Sequence, residues 1–396
     1  MEIYVVKAGD TLYEIARYYN RKPMELAWVN QIDPPDSLAV GQALLIPGNT
    51  NYENQIAWNV QNMQNIQNAQ NRYQALIFGF AYPYIQPDVL METLPYLTDL
   101  LIFSYHFTED GNLVPPFADD VPLIQAAKRQ QVRPIFTLTS IGENGRFEPG
   151  LTEKMLEDSQ AQQRLIENIR TVMQQKGYEG INVDVESVLK KDAEPLAVFV
   201  EKLTRAMHEM GWMLSVDVAP KVRSDQPGLL YEGIDYSLLG KAADLVFLMT
   251  YEWGHSASPP MAVAPINLVR RVVDYAVTEI PREKLLLGIP NYGYDWTLPF
   301  VVGGARARSI GNVEAAQTAA YYHAEIQFDE LAQSPYFYYR REGAAHQVWF
   351  EDVRSMQAKF MLVQEYGLVG FGYWQIMRLF RANWILSQYY FQRKLG

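Results

Sequence analysis

Gly180-Ile181-Asn182-Val183-Asp184-Val185-Glu186 alternates apolar and polar side chains without a break. A period of two is the pattern of a β-strand, which sends residues i, i+2 and i+4 to one face. Ile181, Val183 and Val185 make a face suited to packing beneath helices. Asn182, Asp184 and Glu186 make the other, an amide in line with two carboxyls. Burying such a pair raises the pKa of at least one carboxyl, because like charge and poor solvation both disfavour ionisation. That is costly in a scaffold and useful in an acid catalyst. A polar edge strand, or a metal site built on two carboxylates, carries comparable weight on the pattern alone.

Outward from this strand, short apolar runs alternate with helical stretches from about residue 74 onward. The expected strands are Ala75–Phe80, Leu100–Tyr105, Val132–Leu138, Gly180–Glu186, Met213–Val218, Ala243–Met249, Lys284–Ile289 and Leu368–Trp374. Helical periodicity falls between them, as in Glu153–Lys176, Leu196–Met210 and Leu268–Glu279. Strand–helix alternation with near-continuous apolar strands predicts an α/β fold, a parallel (β/α)8 TIM barrel whose site lies at the strand C-termini. The span from about 290 to 368 is too long for one helix. Tyr336–Arg340 and Gln347–Phe350 flank a turn-like stretch, so a small α+β insertion is expected at about 297–352.

The polar and aromatic residues fall where a barrel needs them. Glu186 ends the fourth strand, Met249-Thr250-Tyr251-Glu252-Trp253 the sixth, Asn291-Tyr292-Gly293-Tyr294 the seventh and Tyr373-Trp374-Gln375 the eighth. With Glu179 ahead of it, the opening heptad resembles the D-G-x-D-x-D-x-E signature of family 18 glycoside hydrolases, the chitinase-like enzymes. Asp184 and Glu186 match, while Glu179 and Asn182 stand where the signature has Asp. The segments after strands six, seven and eight resemble the family's Met-x-Tyr-Asp, Tyr-Gly and closing Trp, with Glu252 in place of Asp.

The resemblance implies a retaining mechanism without a carboxylate nucleophile, in which the 2-acetamido oxygen of the substrate attacks the anomeric carbon. Glu186 is then the general acid and later the base for water. Asp184 raises the pKa of Glu186 and orients the acetamido group, Tyr251 hydrogen-bonds its oxygen, and Trp374 stacks under the sugar. Asn182, Glu252, Tyr292 and Met249 complete the expected substrate site. The cleaved sugar must carry a free acetamido group. Muramic-δ-lactam, whose nitrogen is locked in a ring, is therefore excluded, and cleavage after N-acetylglucosamine is expected.

Residues 1–48 read as a strand, a Gly9-Asp10-Thr11 turn with Asp10 or Thr11 as N-cap, two short helices and a closing strand. Tyr4-x-Val6, Gly9-Asp10-Thr11-Leu12, Ile15-Ala16, Asn30 and Val40-Gly41-Gln42-x-Leu44-x-Ile46-Pro47 resemble a LysM domain, a module that binds N-acetylglucosamine-containing glycans. By that resemblance Gly9, Asp10, Thr11, Leu12, Asn30 and Ile32 line its groove. Lys7, Arg17, Arg21 and Lys22 face six acidic residues in this unit, a balance that suits a neutral sugar. Residues 49–73 carry the triplets Asn59-Val60-Gln61, Asn62-Met63-Gln64, Asn65-Ile66-Gln67 and Asn68-Ala69-Gln70, a period of neither helix nor strand. They read as a linker to a catalytic domain at 74–396.

The 396-residue chain has a formal charge of −11, which argues against nucleic acid and anionic membrane surfaces as partners. It has no cysteine and five histidines, so neither a metal nor a cofactor is expected. The 26 tyrosines and 8 tryptophans suit sugar stacking, although core filling accounts for most of them. Met1–Val6 lacks the basic and apolar regions of a signal peptide, and a leaderless, cytoplasmically made monomer is expected. A LysM joined to this barrel, with the stretch His346–Lys359 and Glu365–Gly370, also resembles bacillar spore cortex-lytic N-acetylglucosaminidases. That implies peptidoglycan as substrate and the spore coat or cortex region as location. A chitinase acting on chitooligosaccharides, or a non-catalytic glycan-binding lectin, is the alternative.

Overall fold

The computed structural model describes residues 1–33, 37–48, 72–142 and 145–394. At the N-terminus β1 (Glu2–Val5) pairs antiparallel with β2 (Ala43–Ile46), and helices Leu12–Tyr18 and Pro23–Asn30 lie between them. Thr11 is the N-cap of the first helix. Its Oγ1 accepts from the Glu14 amide at 3.2 Å, a bond of the kind that contributes about 1 kcal/mol. Leu12, Ile15, Ala16, Leu26 and Leu44 fill the small core of this unit.

The Asn/Gln-rich run expected as a linker lies outside the described residues as far as residue 71, and Tyr73 already opens the barrel. Its strands are β3 (Tyr73–Ala81), β4 (Asp99–Phe107) with the short antiparallel β5 (Leu113–Val114), β6 (Arg133–Thr139), β7 (Gly180–Asp184), β8 (Met213–Val218), β9 (Leu245–Leu248) and β10 (Leu285–Pro290). Five insertion strands follow: β11 (Gly293–Leu298), β12 (Arg308–Ile310), β13 (Gln327–Asp329), β14 (Ser334–Arg341) and β15 (Ala344–Trp349). Last come β16 (Gly370–Trp374) and β17 (Phe391–Arg393). The parallel order β3-β4-β6-β7-β8-β9-β10-β16 closes on β3, so all eight expected strands form one barrel.

Both strand faces are apolar for a reason visible in the packing. Ile181, Val183 and Val185 pack outward among the surrounding helices. Inside the barrel, Phe78, Phe80, Leu101, Ile135, Phe247 and Leu286 pack together, with Met249, Tyr251 and Trp374 against them. Each such buried ring or branched chain contributes roughly 1.5–3 kcal/mol. The helical stretch Glu153–Lys176 is broken in two. Asp158 ends helix Pro149–Glu157 and caps helix Ser159–Lys176, accepting from the Gln160 and Ala161 amides.

The insertion is an antiparallel sheet of order β12-β11-β15-β14-β13 with helix Asn312–Tyr321 against it. Its first strand begins at Gly293, earlier than the expected 297, because β10 passes into β11 after two residues.

The N-terminal unit is docked on the barrel. Val29 and Leu45 belong to the barrel's outer core. Gln31 donates to the Leu379 carbonyl at 3.3 Å and accepts from the Arg381 amide at 2.7 Å. Arg381 lies over the Trp28 ring at 4.2 Å, donates to the Trp28 carbonyl through Nη1 and pairs with both Glu92 oxygens through Nε and Nη2. The Ile326 amide bonds the Val40 carbonyl at 2.8 Å, and a Cβ on Gly41, where φ is +83°, would lie 1.8 Å from the Ile326 oxygen. That approach requires glycine twice over, by space and by backbone.

Candidate active site

Three layers of polar side chains climb the inside of the barrel from β7. Asn182 sits lowest. It is fully buried, donates to Asp217 Oδ2 at 2.8 Å and accepts from Ser215 Oγ at 2.6 Å. Both ends of the amide are thus engaged with β8, deeper than a substrate contact would be, which corrects its placement among the substrate-binding residues. Asp184 ends β7 one layer up and is also buried. Glu186 lies two residues past the strand end, half-buried at the mouth, and the next residue, Ser187, has φ +59°. The three side chains keep the expected face, but only the first two belong to the strand.

Asp217 escaped the sequence reading. The parallel register sets Asn182 beside Ser215 and Val183 beside Val216, so Asp184 and Asp217 are lateral neighbours on the inner face. The signal was present: Ser215 and Asp217 alternate with Leu214, Val216 and Val218 just as Asn182 and Asp184 alternate with their valines. One oxygen of each carboxylate, Asp184 Oδ1 and Asp217 Oδ1, has no hydrogen-bond partner among the described residues.

The electrostatics follow from this crowding. Burial first, then the Asp217 charge, then that of Glu186, holds the Asp184 carboxyl well above the usual carboxylate range. Asp217 is raised well above its range by burial, against the Asn182 hydrogen bond that favours its ionised form. Glu186 is pushed up to about 7, by burial first and by the charge of Glu252 second. A carboxyl that titrates near neutrality can deliver a proton and take one back at the same pH.

The other strands supply the walls. Tyr251, three residues past β9, keeps its phenol protonated through burial and the neighbouring carboxylates at Asp217 and Asp184. Glu252 follows with φ +66°, accepting from Tyr292 Oη and, at 3.0 Å, from Tyr294 Oη. Non-glycine residues at positive φ cost of order 1–3 kcal/mol and cluster at functional sites, and two flank this one. Although Glu252 keeps solvent access, partial burial raises its carboxyl, against the two tyrosine hydrogen bonds that favour the anion. Trp374 ends β16 and is braced edge-on by Phe103, 4.9 Å between centroids, and by Phe80 at 5.6 Å.

Two cavities meet at Glu252. One of about 170 Å³ is bounded by Glu186, Met249, Tyr251, Trp253 and Tyr231. The other, about 110 Å³, is bounded by Asn291, Tyr292, Tyr294, Trp374 and Arg378. The barrel mouth thus gathers Glu186, Met249, Tyr251, Glu252, Tyr292 and Trp374, with Asp184 buried beneath them. Tyr231 and Arg378 carried no sequence signal, since each lies on a loop without a motif.

This constellation has relatives. Residues 52–378 match the model of glycosyl hydrolases family 18, and residues 4–47 match that of the LysM domain. The chain belongs to glycosyl hydrolase family 18. It is 36% identical over 421 residues to the cortical fragment-lytic enzyme of Bacillus subtilis (strain 168), covering 98% of this chain and 97% of that protein. The crystal structure of the spore cortex-lytic enzyme SleL of Bacillus megaterium QM B1551 superposes with a TM-score of 0.89 at 33% identity, over 99% of this chain and 98% of SleL. A chitinase of Chromobacterium violaceum ATCC 12472 superposes with a TM-score of 0.72 at 26% identity, over 79% of this chain and 98% of the chitinase.

The LysM groove residues stand differently. Gly9 and Thr11 are exposed on the first loop. Asp10 accepts from Tyr4 Oη and the Lys7 amide, both at 2.7 Å, and so holds the turn. Leu12 and Ile32 are buried in the module core. Asn30 donates to the Leu26 and Leu45 carbonyls and accepts from the Leu45 amide at 2.7 Å, fastening helix to strand. Of the six, Gly9 and Thr11 are exposed and Asp10 and Asn30 half-buried.

Proposed function

We propose that this family 18 enzyme hydrolyses the β-1,4 bond after N-acetylglucosamine in peptidoglycan, with spore cortex or its fragments as the natural substrate. The carrying observation is Glu186, a carboxyl raised to about 7 that lines the cavity at the barrel mouth, two residues beyond the buried Asp184. Glu186 protonates the leaving oxygen, the substrate's acetamido oxygen closes on the anomeric carbon, and the ionised Glu186 then takes a proton from the attacking water. Asp184 lies beside the forming ring and stabilises its positive charge. Tyr251, held protonated, donates to the acetamido group, and Trp374 offers its face to the sugar. The LysM module retains the polymer through its exposed first loop, and the spore cortex is the proposed place of action.

The cortical relatives support peptidoglycan over chitin. The aromatic lining points the same way. Trp253, Tyr294 and Trp374 border the cavities, but Trp296 is buried and donates its indole N–H to the Ser258 carbonyl at 2.7 Å. A long aromatic track of the kind crystalline chitin favours is shortened by that residue.

The test is a digest of purified cortex fragments and, in parallel, chitin oligomers, read by mass spectrometry. New reducing-end N-acetylglucosamine from cortex, with little chitin cleavage, is expected. Reducing-end muramic acid would sink the bond assignment, chitin cleavage alone would make this a chitinase, and silence on both would leave a lectin.

A further inference from the structure

The cavity bounded by Trp374, Tyr292 and Tyr294 also holds Arg378, a cation that the mechanism above does not use. In a chain of formal charge −11, Arg378 makes no ion pair among the described residues. Its guanidinium is nonetheless fixed in place. Nη1 donates to Ser309 Oγ at 3.1 Å and Nη2 to the Ser309 carbonyl at 3.3 Å. The backbone beneath it is held by the buried Asn291 amide, which donates to the Gln375 and Arg378 carbonyls at 3.1 and 2.9 Å. A Cβ on Gly311 would lie 3.0 Å from Arg378 Cδ, so the glycine leaves room for the stem. The rest of the five guanidinium N–H donors have no protein partner among the described residues. The nearby acids are otherwise engaged. Glu252, on the same cavity, accepts from Tyr292 and Tyr294, and Glu314 is held by Arg308 and the Gly311 amide.

We propose that Arg378 is a specificity-determining residue that receives a substrate carboxylate, the one carried on the lactyl arm of the muramic residue next to the N-acetylglucosamine on Trp374. This rests on the reading of the substrate as peptidoglycan given above. In an alternating glycan both neighbours of an N-acetylglucosamine are muramic residues, so a lactyl arm adjoins Trp374 in either chain direction. That arm ends in a carboxylate when it is free or carries a single alanine. Chitin has no such group. A guanidinium with its stem fixed and its fork unpaired suits a planar carboxylate, which takes two parallel N–H bonds. The Glu186 cavity has no cation on its walls, so the charge recognition falls on the Trp374 side alone.

The test compares alternating tetrasaccharides whose lactyl arms end as the free carboxylate, as the alanyl carboxylate, or as the neutral methylamide. The readout is the ratio of kcat/KM for carboxylate over methylamide. The unchanged protein is expected to favour a carboxylate by about fivefold, through KM and at low salt. Arg378→Gln is expected to bring that ratio to about one, and Arg378→Lys to keep part of it. A loss of turnover that strikes all three probes alike leaves the ratio in place and overturns the proposal. So does a ratio near one in the unchanged protein. Preference for the free or for the alanyl arm supports the site either way and says which carboxylate it takes. Should Arg378→Gln not fold, salt carries the test, since the ratio in the unchanged protein should shrink toward one at about 0.5 M salt. A ratio indifferent to salt overturns the proposal. Failure to cut any of the three probes, with chitin oligomers cut, overturns the peptidoglycan reading itself and this proposal with it.

Discussion

The LysM groove and the barrel mouth are both built from loops beside strands, yet they treat polar side chains in opposite ways. In the groove, Asp10 and Asn30 are bonded to their own module, and Leu12 and Ile32 are closed into its core. Below the mouth, Asp184 and Asp217 each bury an oxygen without a hydrogen-bond partner among the described residues, and at the mouth Glu186 is raised to about 7. A binding module can satisfy its internal polar groups and present backbone and a shallow surface. A catalytic site must keep groups whose protonation can change, and that requires unrelieved burial.

The largest break in this contrast comes at Glu186. Glu186→Gln is expected to lower kcat by about 10³-fold or more on cortex fragments, while pull-down on insoluble peptidoglycan, which reads the LysM, stays as in the unchanged protein. The pH dependence sharpens it. Because Glu186 must be protonated to act as acid, kcat/KM is expected to be full below about pH 7 and to fall as pH rises through that value. Glu252→Gln removes the like charge that raises Glu186, so the falling limb should move to lower pH. An unmoved limb would refute the part assigned to Glu252.

Trp374→Ala removes a braced ring without touching an acid. About tenfold in kcat/KM is expected from a lost stacking face worth about 1.4 kcal/mol. At the seam between the two regions, Arg381→Ala deletes the contacts to Glu92 and Trp28. It is expected to cost about 1–3 kcal/mol, read as a lower melting temperature and faster proteolysis between module and barrel. The smallest effect belongs to the module: Thr11→Ala loses a helix cap, about 1 kcal/mol, with turnover of soluble fragments unchanged.

Much of this was written in local pattern. The eight barrel strands, the insertion hairpin and the module follow from periodicity and turn residues, because burial on both faces imposes continuous apolar runs and one-sided burial imposes alternation. The mouth residues Glu186, Tyr251, Tyr292 and Trp374 were legible because a barrel sends strand ends to one rim. The break at Asp158 was not, since helical periodicity continues across it and only the N-cap geometry reveals a new start.

What the sequence by itself determined, then, is which acidic and aromatic residues share a rim. Their partners were decided by tertiary structure alone. Asn182 looked like a substrate contact until the β7–β8 register turned its amide toward Asp217 and Ser215. Trp296, two residues beyond Tyr294 at the mouth, is closed off by the insertion sheet instead of lining the cleft. Gln31 gave no sign that it would reach Leu379 and Arg381 across more than three hundred residues. Local periodicity assigns a face to each side chain, and only the closing of the barrel determines which neighbour that face meets and hence which carboxyl can keep its proton.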